Sequence, residues 1–315
     1  LYFPAHNDGW YGESLIAQVS LYEIAYQRYN NDPFFMNVLQ QCYRYTSRTA
    51  AEALENCIEI PQIRSIPSWP SVHFENTGYA VLRSDARTVV IKYGPHGGGH
   101  GHPDKLSISV HNGDKEIVSD MGTCAYGVPA FTKWYRKTLS HSTLSVDAKD
   151  QRESTGKLLS FKARKNGGEV LAEAPEAYPG VRMNRKLVLK KDKLTDIYTA
   201  LSDNEHLYDY VLILTEKPVF GQAGESINLN DSPAYSYIKD AVIRKQSSPI
   251  SCKVGNASLV IHMPDKQEFE VIIGEAPGIP PGNGSVLTKY DSPFCYPLII
   301  RIKDKNFKIR TEWKF

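Results

Sequence analysis

The sequence has no long hydrophobic stretch and no leader-like start. No run of about 18 apolar residues occurs, so no membrane span is expected. Residues 1–4 lack the basic start and the apolar core of a signal peptide, and the chain does not begin with methionine. We therefore expect the chain to begin inside a longer protein or to follow a removed segment.

The sequence also has few cysteines and little net charge. The five cysteines show no Cys-x-x-Cys spacing, which excludes a zinc ribbon, and their odd number argues against a disulfide framework. We expect scattered, buried thiols. The net charge of +2 provides no long-range field for nucleic acid, so no nucleic-acid partner is expected.

Helical periodicity is confined to the first part of the chain. Leu15, Val19 and Tyr22 recur at helical spacing within residues 14–29, and residues 34–54 repeat the pattern. Two helices in about 60 residues cannot form a stable core alone. We expect them to end a larger helical domain and to pack on the rest of the chain through these three side chains.

Three prolines mark a linker, and beyond it the hydrophobic period changes from 3.6 to 2. The predicted fold is mainly β: a large antiparallel β-sandwich over residues 66–315, preceded by the helical residues 1–65. The predicted strands are residues 79–82, 89–93, 107–110, 116–118, 143–146, 186–189, 195–198, 210–214, 259–262, 270–273 and 298–301.

The densest chemical signal is a stretch rich in histidine and glycine at residues 94–106. Its histidines are His96, His100 and His102. Asp120 and His141 follow on predicted strands that can bring them close to the His-x-His pair, and imidazole and carboxylate are ligands that zinc accepts. The alternative is a glycine-rich turn with exposed histidines.

Three segments in this order resemble the motifs of heparinase II/III-like polysaccharide lyases: residues 100–106 (HGHPDKL), 120–127 (DMGTCAYG) and 134–147. Ser142 and Tyr135 depart from the family pattern, which usually has Asn and Phe there. Residues 7–10 resemble the end of the α/α toroid that precedes the sandwich in this family. Residues 297–301 resemble one of its late sandwich strands.

The resemblance implies roles for particular residues. His102, Asp120 and His141 fall on the positions of zinc ligands, and this single zinc ion organises the site. His100 falls on a histidine that faces the substrate, and Tyr126 on a loop tyrosine near the cleavage site. The toroid tyrosine that serves the family as general acid or base has no counterpart in this chain.

The implied reaction is β-elimination at a uronic acid, which needs neutralisation of the carboxylate, a base for the C5 proton and an acid for the departing oxygen. His100 and Tyr126 are the catalytic candidates. His96 and Arg136 are the substrate-binding candidates, although a turn role and an internal salt bridge are their alternatives. Because positions i and i+2 of a strand share a face, separate roles for His100 and His102 require a turn, which Gly101 permits.

The implied partner is an acidic polysaccharide or oligosaccharide, either an alginate oligomer or a glycosaminoglycan of the heparin and heparan sulfate type. The form of residues 99–106 resembles the oligo-alginate lyase branch somewhat more. The resemblance also implies a bacterial protein that is periplasmic or secreted, and a homodimer is one expected assembly.

Two other classes of protein fit parts of the pattern. A cupin-like metal oxygenase also uses His-x-His on a β-scaffold, with Asp104 as the carboxylate, but it leaves Asp120 and His141 unexplained. A non-catalytic carbohydrate-binding sandwich is the third hypothesis.

Overall fold

The structure is a computed structural model that describes residues 6–9, 15–30, 32–46, 69–113, 115–124, 126–264, 267–278 and 294–315. Its helical part consists of a 3-10 turn at Leu15–Gln18, helix α1 (Val19–Arg28) and helix α2 (Pro33–Cys42). The predicted continuation of the second helix to residue 54 and the predicted domain boundary at residue 65 fall largely on residues 47–68, outside the described residues.

Helix α2 starts with a capping arrangement that its sequence dictates. The Asp32 side chain accepts a hydrogen bond from the Phe34 amide at 2.7 Å. Pro33 occupies the first helical position, where its missing N–H costs nothing. Sequence and structure therefore agree on where this helix begins.

The two helices share a small core of their own. Val19 of α1 packs with Leu39 of α2, and Leu15 and Tyr22 pack against the same cluster. The three side chains predicted to pack on the sheet are thus the ones that join the helices to each other. A helix pair buries its apolar faces mutually when the nearest apolar surface is its neighbour.

The rest of the described chain is almost wholly antiparallel β-structure, as predicted. The strands are β1 (Val72–Phe74), β2 (Tyr79–Ser84), β3 (Arg87–Lys92), β4 (Ser107–Asn112), β5 (Lys115–Val118), β6 (Leu144–Val146), β7 (Lys157–Arg164), β8 (Gly167–Tyr178), β9 (Val181–Lys190), β10 (Lys193–Leu214), β11 (Glu225–Ser226), β12 (Lys239–Ser247), β13 (Ile250–Val254), β14 (Ala257–His262), β15 (Glu268–Pro277) and β16 (Phe294–Lys314).

Strands β10 and β16 pair with each other along most of their length and belong to both layers of the sandwich. The first half of β10 extends the β7–β8–β9 sheet, and the second half of β16 continues it to β14 and β13. The second half of β10 and the first half of β16 join the meander of β1 to β5 to strands β15, β12 and β11. The register shifts between Leu201 and His206, and such a bulge bends a strand enough to pass between layers.

The long strands explain where the sequence prediction was incomplete. Residues 195–198 and 210–214 were expected as separate strands, but both belong to the 22-residue β10. Strand β7 was missed because most of its side chains are exposed, so no alternation of apolar and polar residues marks it.

The main core lies between the two layers, and a second cluster covers the outer face of β10, β15 and β16. The four cysteines that the structure describes are buried thiols, as expected, and Cys57 falls outside the described residues. No helix in the described part of the chain is long and apolar enough to cross a membrane.

Candidate functional site

The histidine-rich stretch connects β3 to β4, and its glycines shape it. Gly97 and Gly98 adopt positive φ angles of 94° and 66°, which start a short 3-10 turn that ends at His100. Gly101 itself is extended, with φ of −74°, so the turn lies before His100 and not at Gly101. Gly101 is needed for space, because a Cβ there would lie 2.0 Å from the His96 carbonyl oxygen.

The two histidines of the His-x-His pair differ in exposure but meet at one carboxylate. The His100 side chain is 76% exposed, whereas His102 is fully buried. His100 Nδ1 donates to Asp8 Oδ2 at 2.8 Å, and His102 Nε2 lies 3.0 Å from Asp8 Oδ1. An ionised carboxylate only accepts, so both imidazoles present an N–H to Asp8.

Asp8 belongs to the short N-terminal segment at residues 6–9, which hydrogen-bonds to the loop through its backbone as well. Burial acts to raise the pKa of Asp8, but the hydrogen bonds from His102 and His100 outweigh it and lower the pKa. Sequence reasoning missed this residue as a site residue. The available signal was its place in the segment at residues 7–10 that resembles the end of the family's toroid.

Tyr126 completes the exposed side of this arrangement. Its hydroxyl donates to Asp8 Oδ2 at 3.1 Å and lies 3.2 Å from His100 Nδ1. The ring packs on Phe131, with 4.7 Å between ring centres. Desolvation and the bond to Asp8 raise the pKa of Tyr126, so the hydroxyl keeps its proton at neutral pH.

Asp120 and His141 come together because both of their segments run along β10. The Ser119 amide donates to the Ile213 carbonyl, and the Val211 amide donates to the Thr143 carbonyl, each at 2.8 Å. His141 Nδ1 then lies 2.9 Å from Asp120 Oδ2, with both side chains buried.

Charge and protonation are coupled across this buried pair. Burial would lower the pKa of His141, but the Asp120 carboxylate more than offsets it and the pKa is raised. Burial would raise the pKa of Asp120, yet His141 holds it well below its usual range. The Gly122 amide also donates to Asp120 Oδ1 at 3.0 Å, which fixes the orientation of the carboxylate.

The three residues predicted as metal ligands lie in one buried cluster. The ring centres of His102 and His141 are 5.3 Å apart. His102 Nδ1 and His141 Nε2 are both buried without a hydrogen-bond partner among the described residues. Burial lowers the pKa of His102 to about 4, so its ring is neutral and able to bind a metal.

Two further residues enter the cluster that were not among the predicted zinc ligands. One ligand atom each from His6, Asp104 and Asp120 lie within 4.8 Å of one another. This set shares only Asp120 with the predicted zinc ligands His102, Asp120 and His141. We call His6, Asp8, His100, His102, Asp104, Asp120 and His141 the histidine cluster.

Two lysines lie next to Asp104 of this cluster. Lys92 Nζ lies 2.6 Å from Asp104 Oδ2, and Lys105 Nζ lies 3.9 Å from Asp104 Oδ1. Burial lowers the pKa of Lys105 to about 8. The two lysine cations compensate the charge of Asp104, which explains why this carboxylate is fully buried.

The two predicted substrate-binding residues flank the cluster. Arg136 is half-buried, donates to the Gly101 carbonyl at 3.0 Å and lies over the Phe131 ring. His96 lies 3.6 Å from Glu153. Both contacts are internal, and the substrate-binding role of these residues stays a prediction.

Ser140 and Ser142 flank His141, but their hydroxyls bind backbone groups and not the predicted metal ligands. Ser140 Oγ donates to the Lys137 carbonyl at 2.8 Å, and Ser142 Oγ accepts from the Ile213 amide at 2.9 Å. The side chain that does orient a predicted ligand is Asp8, through His102.

Residues 66–199 match the sequence profile of the family described as heparinase II/III-like, C-terminal. This part of the chain is a heparinase II/III-like C-terminal domain. This match covers the β3–β4 loop, Asp120, Tyr126 and His141. The sequence-based assignment to this family and the expected antiparallel sandwich are therefore confirmed, whereas the preceding toroid stays a prediction.

Two curated relatives are similar over parts of the chain. A heparin-sulfate lyase of Bacteroides stercoris is 31% identical over 104 residues, which are 30% of this chain and 16% of that protein. A heparin-sulfate lyase of Pedobacter heparinus is 28% identical over 141 residues, which are 40% of this chain and 20% of that protein.

Solved structures share the fold over nearly the whole chain. The heparan sulfate lyase HepC of Pedobacter heparinus superposes with a TM-score of 0.69 at 16% identity, covering 99% of this chain and 44% of that one. A heparinase III gives a TM-score of 0.65, also at 16% identity, with 99% and 44% covered. The chain thus spans less than half the length of these proteins.

Proposed function

We propose that this chain forms part of a polysaccharide lyase that cleaves a uronic-acid-containing glycosaminoglycan by β-elimination. The names of the curated relatives favour a substrate of the heparin and heparan sulfate type over alginate oligomers, the class that the sequence favoured slightly. A periplasmic or secreted location and a homodimer remain predictions.

The observation that carries this proposal is the carboxylate of Asp8 between His100 and Tyr126. It gives two exposed, chemically different groups a common anchor. His100 offers an imidazole whose Nδ1–H already donates to Asp8, and Tyr126 offers a hydroxyl that keeps its proton. A base and an acid held side by side are what elimination across one C4–C5 bond requires.

His100 suits the removal of the C5 proton. Its Nδ1–H donates to Asp8, so Nε2 carries the lone pair on the exposed side of the ring. In the reaction Nε2 takes the C5 proton, and the electrons of that C–H bond form the C4–C5 double bond as the C4–O bond breaks. Asp8 stabilises the imidazolium that results, as a carboxylate does beside a catalytic histidine.

Tyr126 suits protonation of the departing oxygen. Its pKa is raised by desolvation and by Asp8, so it holds a proton to give until negative charge develops on the leaving group. Arg136, whose guanidinium lies beside the loop, is the candidate for pairing with the uronate carboxylate.

The residues present fit the zinc ion that the family implies. Buried nitrogen atoms of His102 and His141 lack hydrogen-bond partners, and Asp120 supplies a carboxylate beside them. Bound there, zinc would supply a fixed positive charge that holds these side chains and the backbone of the loop. His102 also carries the adjacent Asp8, so the cluster would keep the Asp8–His100–Tyr126 arrangement in place.

The fold weakens the cupin-like alternative. That reading requires a compact barrel and Asp104 as a metal ligand beside His100 and His102. The strands instead form two layers, and His100 is exposed whereas His102 and Asp104 are buried. A non-catalytic carbohydrate-binding sandwich remains as an outcome of the test.

The test uses the protein with any residues that flank this chain in nature. Heparan sulfate, heparin and alginate oligomers are each incubated with the wild type, His100→Ala and Tyr126→Phe, and the unsaturated product is followed by its ultraviolet absorbance. We expect activity on a glycosaminoglycan and a loss of about 100-fold or more in each variant. His206→Ala, which alters a histidine outside the cluster, should retain activity.

Wild-type binding without any product would favour the carbohydrate-binding sandwich. Full turnover by His100→Ala would remove this residue from the mechanism. Activity on alginate alone would keep the reaction but reverse the order of the substrates.

A further inference from the structure

The N-terminal segment at residues 6–9 brings a histidine to the buried cluster that no sequence motif marks. We propose that His6 is a direct ligand of the metal ion and that the metal thereby fastens this segment to the sandwich. This inference rests on the metal centre proposed above, and it adds a ligand from outside the family match at residues 66–199.

The distance between His6 and Asp120 fits a shared metal better than a hydrogen bond. His6 Nδ1 lies 3.4 Å from Asp120 Oδ2. Tetrahedral zinc with bonds of about 2.1 Å places neighbouring ligand atoms about 3.4 Å apart. A charge-assisted N–H···O bond is shorter, at about 2.7–2.9 Å, and His141 already makes such a bond to the same oxygen at 2.9 Å.

The surroundings of His6 provide no other partner among the described residues. Its side chain is only 7% exposed, and both ring nitrogens are buried without a hydrogen bond. The ring packs against Tyr79, with 5.3 Å between ring centres. A buried imidazole without partners is costly, and a metal on one nitrogen reduces that cost.

The charges nearby also favour a cation. Asp104 and Asp120 are fully buried, and an oxygen of each lies within 4.8 Å of a His6 nitrogen. Lys92 occupies Asp104 Oδ2 at 2.6 Å, which leaves Oδ1 without a hydrogen bond. Among the described residues, the side-chain contacts of Asp120 are histidines and a backbone amide, so a divalent ion would balance the remaining negative charge.

A metal bound by His6 would act on the exposed residues through the chain itself. Asp8 lies two residues beyond His6 and hydrogen-bonds to His100, His102 and Tyr126. Fixing His6 to the sandwich therefore limits where Asp8 can lie. Metal occupancy and the position of the catalytic carboxylate become linked.

Zinc affinity is the first measurement, made by competition with a chromogenic chelator on the whole chain. We expect His6→Ala to bind zinc about tenfold more weakly or worse, since even an outer partner of a metal ligand contributes about 10–100-fold. His6→Cys, which keeps a ligand atom, should recover part of the loss. His141→Ala should lose binding, and His206→Ala should match the wild type.

The second measurement is hydrogen exchange of the peptide that carries residues 6–9, with and without zinc. The wild type should gain protection when zinc is added, and His6→Ala should not. Circular dichroism checks that each variant is folded. If His6→Ala unfolds, the comparison of His6→Cys with His6→Gln serves in its place, because only cysteine can bind the ion.

The outcomes separate the two claims. If His6→Ala keeps the zinc affinity and the zinc-dependent protection of the wild type while His141→Ala loses zinc binding, His6 is not a ligand. The proposed metal centre would still stand in that case. A wild type that binds no zinc would remove the metal centre and this inference together. The lyase reaction would still be judged by its product.

Discussion

The sandwich holds two clusters of buried charge that differ in how completely they are paired. In the core, Arg185 makes two bonds to Asp196, at 3.0 and 2.6 Å, and donates to the carbonyls of Leu106 and Ser142. Tyr210 donates to the same carboxylate at 2.6 Å. Both charged groups thus have protein partners on all sides.

The buried groups of the histidine cluster are less completely hydrogen-bonded than this pair. His6, His102, Asp104 and His141 each keep a buried nitrogen or oxygen without a hydrogen bond to the part of the chain that the structure describes. Buried polar groups are nearly always satisfied in proteins, so unpaired atoms that converge on one place mark a candidate binding site. The core pair is paired within the fold, whereas the unpaired atoms of the histidine cluster are the basis of the proposed metal site.

The largest effect is expected from breaking the core pair. Arg185→Met should lower the free energy of unfolding by about 3–5 kcal/mol, because it leaves Asp196 as an uncompensated buried charge. Urea denaturation measures this loss. The double variant with Asp196→Leu should recover much of it, and a double variant as unstable as the single one would show that the charge is not the cause.

Acid should act on the histidine cluster. The folded pKa of His102 is about 4, lowered first by burial, against an ordinary value of 6.5. Between these values the unfolded chain binds a proton that the folded chain does not. Stability of the metal-free protein should therefore fall as pH drops from 6.5 to 4, by on the order of 3 kcal/mol at most.

His141 and Asp120 affect the stability with the opposite sign or in a different pH range. His141, with a raised pKa, keeps its contribution in this window and loses it as pH rises. The lowered pKa of Asp120 places its effect below the window. Denaturation at several pH values checks the prediction: the slope should be shallower in His102→Gln, and the part that remains comes from His111, whose pKa burial also lowers to about 4. An unchanged slope in His102→Gln would contradict it.

Zinc should stabilise the protein through the histidine cluster and leave the core pair unaffected. At a free concentration of 100 times the dissociation constant, binding to the folded state alone adds about 2.7 kcal/mol. A thermal melt with zinc and one with a chelator measure the shift. The same shift is expected in Arg185→Met, and a shift that survives in His141→Ala would place the ion elsewhere.

The smallest effect on stability is expected at Asp8, although its functional effect should be clear. Asp8→Asn cannot accept fully from both His100 and His102, so zinc affinity and turnover should each fall about 10–100-fold. Asp147→Asn is the matched control, because Asp147 bonds His206 at 2.8 Å outside the cluster. Equal losses in the two variants would mean that the loss at Asp8 is not specific.

Much of the fold followed from local patterns. The change of period after residue 70 predicted the antiparallel sandwich. The bulge that passes β10 from one layer to the other was not predictable, because it depends on how two sheets pack and not on the residues of one strand.

The amino-acid sequence alone selected the histidine-rich loop, Asp120, Tyr126 and His141 as candidates, because spacing and resemblance to a family's motifs are local properties of the chain. Tertiary structure was needed to add His6 and Asp8, which are more than 90 residues away from His100 and His102 and join them only through folding. Proximity in space across such a separation leaves no periodic trace in a single sequence. The shared carboxylate of Asp8 and the unpaired atoms around Asp120 are therefore products of the fold.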